Sequence, residues 1–141
     1  MRFATVVAIA SCAAARIVNL ASYDGTYQAS ATSTFPLTFT TENSQSPYRD
    51  FTAAVGLSTL EEKFDATALG TWIANIDFVD LDQDVTGTGN FTVQINLPSS
   101  AFTHGSGSYV LTAAVLQSYG VAWNTANMYA NTTFSVSVPS A

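Results

Sequence analysis

Asn90-Phe91-Thr92-Val93-Gln94-Ile95-Asn96-Leu97-Pro98 is the stretch that decides the fold class. Phe91, Val93, Ile95 and Leu97 fall on one side of an extended chain, and Asn90, Thr92, Gln94 and Asn96 on the other. That period of two is the mark of a half-buried strand. Pro98 ends it, because proline brings no N–H to a ladder. The same alternation recurs along the chain. Residues 35–41 set Leu37 and Phe39 against Thr38 and Thr40. Residues 49–57 set Phe51, Ala53, Val55 and Leu57 against Thr52, Ala54 and Gly56. Residues 71–81 carry Trp72, Ala74, Ile76 and Phe78 opposite Ile73, Asn75, Asp77 and Val79. Near the end, Thr132, Phe134, Val136 and Val138 oppose Asn131, Thr133, Ser135 and Ser137. Residues 17–21 read as a short first strand before the Asp24-Gly25 turn, and residues 108–117, apolar on both faces, as a central strand. Helical signal is confined to a turn or two within residues 58–68.

About seven short strands separated by turn residues predict an all-β fold, an immunoglobulin-like antiparallel β-sandwich. One local feature sharpens this. Leu97-Pro98, followed by Gly107-Ser108-Tyr109-Val110-Leu111-Thr112-Ala113, resembles a tyrosine corner, in which a Tyr opening the sixth strand bonds back to the preceding turn. Tyr109 is the corner residue on this reading.

The chain has 141 residues, 48% of them hydrophobic and 10% charged. Four Lys+Arg against ten Asp+Glu give a formal net charge of −6, which excludes nucleic acid as a partner because phosphate binding needs clustered cations. An acidic lipid surface is disfavoured for the same reason. Residues 1–15 read as a signal peptide: Arg2, a short apolar run, then Ala13-Ala14-Ala15 before a cut at Arg16. The run is too short to span a bilayer, and no other transmembrane segment is found. Residues 16–141 then form one β-sandwich domain. The single cysteine, Cys12, leaves with the signal, so the secreted domain must hold itself by its core alone. Asn90-Phe91-Thr92 and Asn131-Thr132-Thr133 are glycosylation acceptors, and both asparagines are expected on a polar face at a strand start.

Catalytic, metal and cofactor signatures are missing from the sequence. The one histidine, His104, sits in a turn without a nucleophile elbow near it. Asp80, Asp82 and Asp84 would share a face of an extended chain, but Val85 stands where a calcium loop needs glycine and Phe91 where it needs glutamate. The run reads instead as a solvated strand end. A partner surface is better marked. Val110, Ala114 and Leu116 point away from the core of the sixth strand, beside Ala54 and Gly56 of the third. Residues 118–130, read as a long loop, add Tyr119, Trp123, Met128 and Tyr129, residue types enriched in hot spots. The loop either folds back as a lid or joins the sheet face in a protein-binding platform. A cell-wall or carbohydrate-binding module, using Trp72 and Trp123, is the alternative.

Taken in order, Ala15-Arg16-Ile17, Ala54-Val55-Gly56-Leu57, Leu69-Gly70, Gly89-Asn90-Phe91-Thr92, Gly107 through Val115 and Ser118-Tyr119-Gly120 give the chain its kinship. The sequence resembles the small necrosis-inducing secreted protein family of fungal effectors. The resemblance implies a secreted, non-enzymatic protein acting in the host apoplast or the host cytoplasm. It also implies necrosis in plant tissue and suppression of pattern-triggered immunity, through a plant immune co-receptor kinase and a receptor-like cytoplasmic kinase.

Overall fold

The alternating runs close into eight strands in the computed structural model, which describes residues 14–63, 65–85, 87 and 89–140. They are β1 (Ala14–Leu20), β2 (Thr26–Gln28), β3 (Thr34–Ser44), β4 (Tyr48–Thr59), β5 (Thr71–Asp77), β6 (Phe91–Asn96), β7 (Gly107–Tyr119) and β8 (Asn124–Ser137). A three-stranded sheet in the order β1-β3-β6 faces a five-stranded sheet in the order β2-β8-β7-β4-β5. All pairs are antiparallel except β2 with β8, where Thr26–Gln28 runs alongside Ser135–Ser137. With β1, β3 and β6 as A, B and E and β4, β7 and β8 as C, F and G, this is the strand partition of an immunoglobulin-like sandwich. β2 is a strand beyond the seven expected, too short for periodicity to reveal.

Inward-pointing side chains of both sheets supply the core. Phe35, Leu37 and Phe39 from β3 meet Val55, Leu111 and Val115 from the other sheet, all essentially without solvent contact. Aromatic rings fill the two ends. Phe35 packs on Phe134 at 4.7 Å, and Phe39 meets Phe78 edge-on at 5.2 Å. Tyr109, also buried, donates its hydroxyl to the Gly105 carbonyl at 2.9 Å, tying β7 to the turn before it. With no disulfide at hand, these contacts carry the stability.

Three expectations need correction. The strand over 71–81 stops at Asp77, because the Asp77 carboxylate accepts the Val79 and Asp80 N–H groups and turns the chain. Asp80, Asp82 and Asp84 therefore share no strand face; Asp82 lies at φ 59° and Asp84 pairs with Arg49 at 2.7 Å. Residues 118–130 are not a long loop, and so not a lid: β7 and β8 form one long hairpin turning at residues 120–123. Thr125, Asn127 and Tyr129 alternate with Ala126, Met128 and Ala130, a polar strand pattern that was present in the sequence. Asn131 accordingly sits mid-strand in β8, whereas Asn90 directly precedes β6. The expected signal segment lies outside the described residues except for Ala14 and Ala15, which pair with Ser44 and Asn43.

Candidate functional site

The outer face of the five-stranded sheet is built from cross-strand rows. Asp77, Thr52, Leu116 and Asn127 form one row; Asn75, Ala54, Ala114 and Tyr129 the next; Trp72, Gly56, Thr112 and Asn131 the third. Beyond these, Ser58, Val110 and Thr133 continue towards one end, and Arg49, Ser118 and Thr125 towards the hairpin turn at the other. Side chains in these rows point alike because strand residues alternate, except for Trp72: expected on the core side with Ala74, Ile76 and Phe78, it is turned outward and exposed where the β4–β5 register slips between Val55 and Gly56.

Half of this face is covered by the chain itself. A Cβ on Gly56 would collide with the backbone carbonyl of Leu69, and one on Gly70 would collide with Leu57. The connection between β4 and β5 thus crosses the sheet against bare glycine. Thr112 and Ser58 beside the crossing are buried. Val110, expected on the exposed platform, is only 2% exposed and so is not presented to a partner. Gly56 is buried too, although expected on the open side.

The other half is open. Ala54 and Ala114, half-buried, make a low floor, and Leu116 and Tyr129 stand exposed on it. At the turn Trp123 is 54% exposed and Val121 91%. Trp123 has φ 51°, a left-handed conformation that a bulky residue seldom adopts, and its N–H closes the turn onto the Gly120 carbonyl at 3.1 Å. Tyr119 and Met128 do not join them. Tyr119 faces the other way and stacks on Tyr48 at 5.7 Å, and Met128 packs half-buried against the core. The expected set therefore splits: Ala114, Leu116, Tyr129 and Trp123 share one surface, and Val110, Tyr119 and Met128 lie elsewhere. Asn131 is exposed on that same face, two residues along from Tyr129.

A groove of about 330 Å³ opens at the turn end of the face, lined by Arg49, Phe51, Ser118, Trp123 and Thr125. Arg49 reaches it with its Nε on the Asp84 carboxylate and its guanidinium 5.5 Å from the Phe51 ring centre. Phe51 stands at a bulge, where the β4–β7 register slips between Asp50 and Thr52, and this re-aims the strand at its end.

Beneath that bulge lies a polar knot that the alternation pattern missed. Asp50 is fully buried between the sheets, where it accepts the Ile17 N–H at 3.0 Å and the Gln117 Nε2 at 2.7 Å. Gln117 also donates to the Ile17 carbonyl at 2.9 Å, so both polar groups of one β1 residue are held from the opposite sheet. Burial pushes the Asp50 carboxyl up to about 6 against the pull of those two donors. His104 lies exposed beside Glu62 at 3.2 Å, and among the described residues no group of three His, Cys, Asp or Glu is placed to hold a metal ion.

A model of the Nis1 family matches residues 13–139. The chain belongs to the Nis1 family. No curated protein matches it. Among solved structures, a chitin binding domain from Burkholderia pseudomallei aligns at 13% identity and a TM-score of 0.41. The alignment covers 82% of this chain and 57% of that one, so the chain spans little more than half the length of that structure. In this Nis1-family chain, residues that carry the resemblance build the frame of the face. Gly56 and Leu69-Gly70 make the close crossing, and Gly107 through Val115 form the central strand beneath it. No helix among the described residues is long and apolar enough to cross a membrane.

Proposed function

We propose that this Nis1-family member is a secreted fungal effector that works by binding and not by turnover. Its targets on this reading are plant immune receptor-associated kinases, the co-receptor and its receptor-like cytoplasmic partner. Its effect is suppression of pattern-triggered immunity, with necrosis as a further outcome in tissue. The observation that carries the binding half of the proposal is the open part of the outer sheet face. Leu116, Tyr129, Trp123 and Val121 stand exposed there over a floor of alanines, and the charged side chains of those rows are Asp77 at one rim and the Asp84-paired Arg49 at the other. Apolar, aromatic and charge-poor surface of this kind is what protein interfaces use at their centres. The kinase targets come from the family resemblance alone.

The test is co-precipitation of the two kinases' cytoplasmic domains with the wild type, Leu116→Asp and Trp123→Ala, with circular dichroism to confirm folding. Wild-type capture that drops at least tenfold in either variant is expected. Equal capture by folded variants refutes the platform, and retention on insoluble polysaccharide without kinase capture refutes the reading as a whole. Expression in leaf with and without residues 1–15, scored for the immune oxidative burst, reports on which side of the plant membrane it acts.

A further inference from the structure

The groove at the turn end contains one feature that a plain apolar surface does not explain. Ser118 is 2% exposed, and its hydroxyl has no hydrogen-bond partner among the described residues. It projects on the outer face in the row Arg49–Ser118–Thr125, all three of which line the groove. An orphaned buried hydroxyl costs free energy that a ligand atom can recover. Beside it, Arg49 spends its Nε on Asp84, and among the described residues the rest of its guanidinium fork is unspent. Two donors thus sit next to each other, flanked by the rings of Phe51 and Trp123.

We propose that this groove is the anchor subsite of the binding face, and that it takes one ring-bearing side chain of a protein partner together with the neighbouring backbone carbonyl. The inference rests on the binding reading above and adds the chemistry of what is bound. The ring enters between Phe51 and Trp123; the carbonyl oxygen accepts from Ser118 Oγ and from the Arg49 fork. Trp123, carried on the short turn of residues 120–123, shifts outward as the ring enters and uncovers the hydroxyl. A volume of about 330 Å³ is at the bottom of the range for small-molecule sites and suits a single large side chain. A peptide fits better than a sugar. A saccharide ring could stack a C–H face on Phe51 or Trp123, but its hydroxyl rim needs acceptors as well as donors and the Arg49 fork only donates, whereas a side chain and its carbonyl match two apolar walls and one cluster of donors.

Nitrogen-15 NMR titration of the secreted chain with N-acetyl-phenylalanine methylamide tests this. N-acetyl-alanine methylamide and the N-acetylglucosamine trimer serve as counter-probes. Saturable shifts at the Trp123 indole N–H and the Ser118 and Thr125 amides are expected with the phenylalanine probe, and much weaker ones with alanine. Ser118→Ala removes an unpartnered hydroxyl, so its melting temperature should be unchanged or higher while probe affinity falls about three- to tenfold. The proposal is overturned if the phenylalanine probe gives no saturable shift, if the sugar trimer moves the same signals instead, or if Ser118→Ala binds as the wild type does. Failure here leaves the kinase reading standing where Leu116→Asp still abolishes kinase capture. Probe binding without kinase capture has the opposite meaning: the groove holds and the targets are wrong.

Discussion

Replacing Asp50 with asparagine should change how stability depends on pH more than it changes stability itself. The Asp50 carboxyl lies between the sheets with no solvent contact, and burial raises it from 3.8 to about 6. The two donors that meet it, Ile17 N–H and Gln117 Nε2, favour the ionised form, but desolvation is the larger effect. The folded state therefore holds this proton more tightly than the unfolded chain does. Stability from this group is fully present below about pH 4 and is lost as pH rises through about 6. The separation of about two pKa units corresponds to roughly 2–3 kcal/mol across that window. Glu62 and Asp65 act in the opposite sense, since donors from Thr59 and Thr67 hold them low, but both are exposed and contribute little. Asp50→Asn removes the titration and leaves one of the two donors without an acceptor, a cost of about 1–2 kcal/mol. Urea unfolding from pH 4 to pH 7.5 should thus show the wild type losing stability with rising pH. The variant should be nearly flat, weaker than the wild type at pH 4 and level with it or better at pH 7.5. A wild type whose stability is constant or rises over this range, or a variant with the same slope, refutes the argument.

Gly56→Ala should destabilise by more than about 3 kcal/mol or prevent secretion, because the new methyl has only the Leu69 backbone to displace; thermal melting or secreted yield reads it. Tyr109→Phe removes the donor to the Gly105 carbonyl while keeping the ring, and should cost about 1–2 kcal/mol in urea unfolding. Phe39→Ala empties the contact with Phe78 and Phe91 and should cost about 3–5 kcal/mol by the same assay. Glycans at Asn90 and Asn131 should appear as two mass shifts removed by an amide-cleaving endoglycosidase. An Asn131 glycan, standing on the open face beside Tyr129, should weaken kinase capture until it is removed.

Much of the fold was legible because a strand's faces are a local property. Phe91, Val93 and Ile95 declare their side within six residues, and Ile95 and Leu97 are indeed buried. The hairpin of β7 and β8 is also written in the chain, but Asn124, Thr125 and Asn127 are polar, and a polar run between two apolar strands has the composition of a loop. Alternation sorted most residues on the outside of the second sheet, because successive side chains along a regular strand point opposite ways, but it put Trp72 and Phe51 on the core side, and both reach the outside where the β4–β5 and β4–β7 registers slip. It could not decide which part of that outside stays open. That depended on Leu69 arriving against Gly56, at the end of the face where Val110 is buried and away from Leu116, which stays exposed. Nor could it find Asp50, whose partners Ile17 and Gln117 are 33 and 67 residues away. Periodicity reports each strand against an unspecified neighbour; covering a face, closing a groove and burying a charge are set by which distant segments arrive there, and only packing in three dimensions decides that.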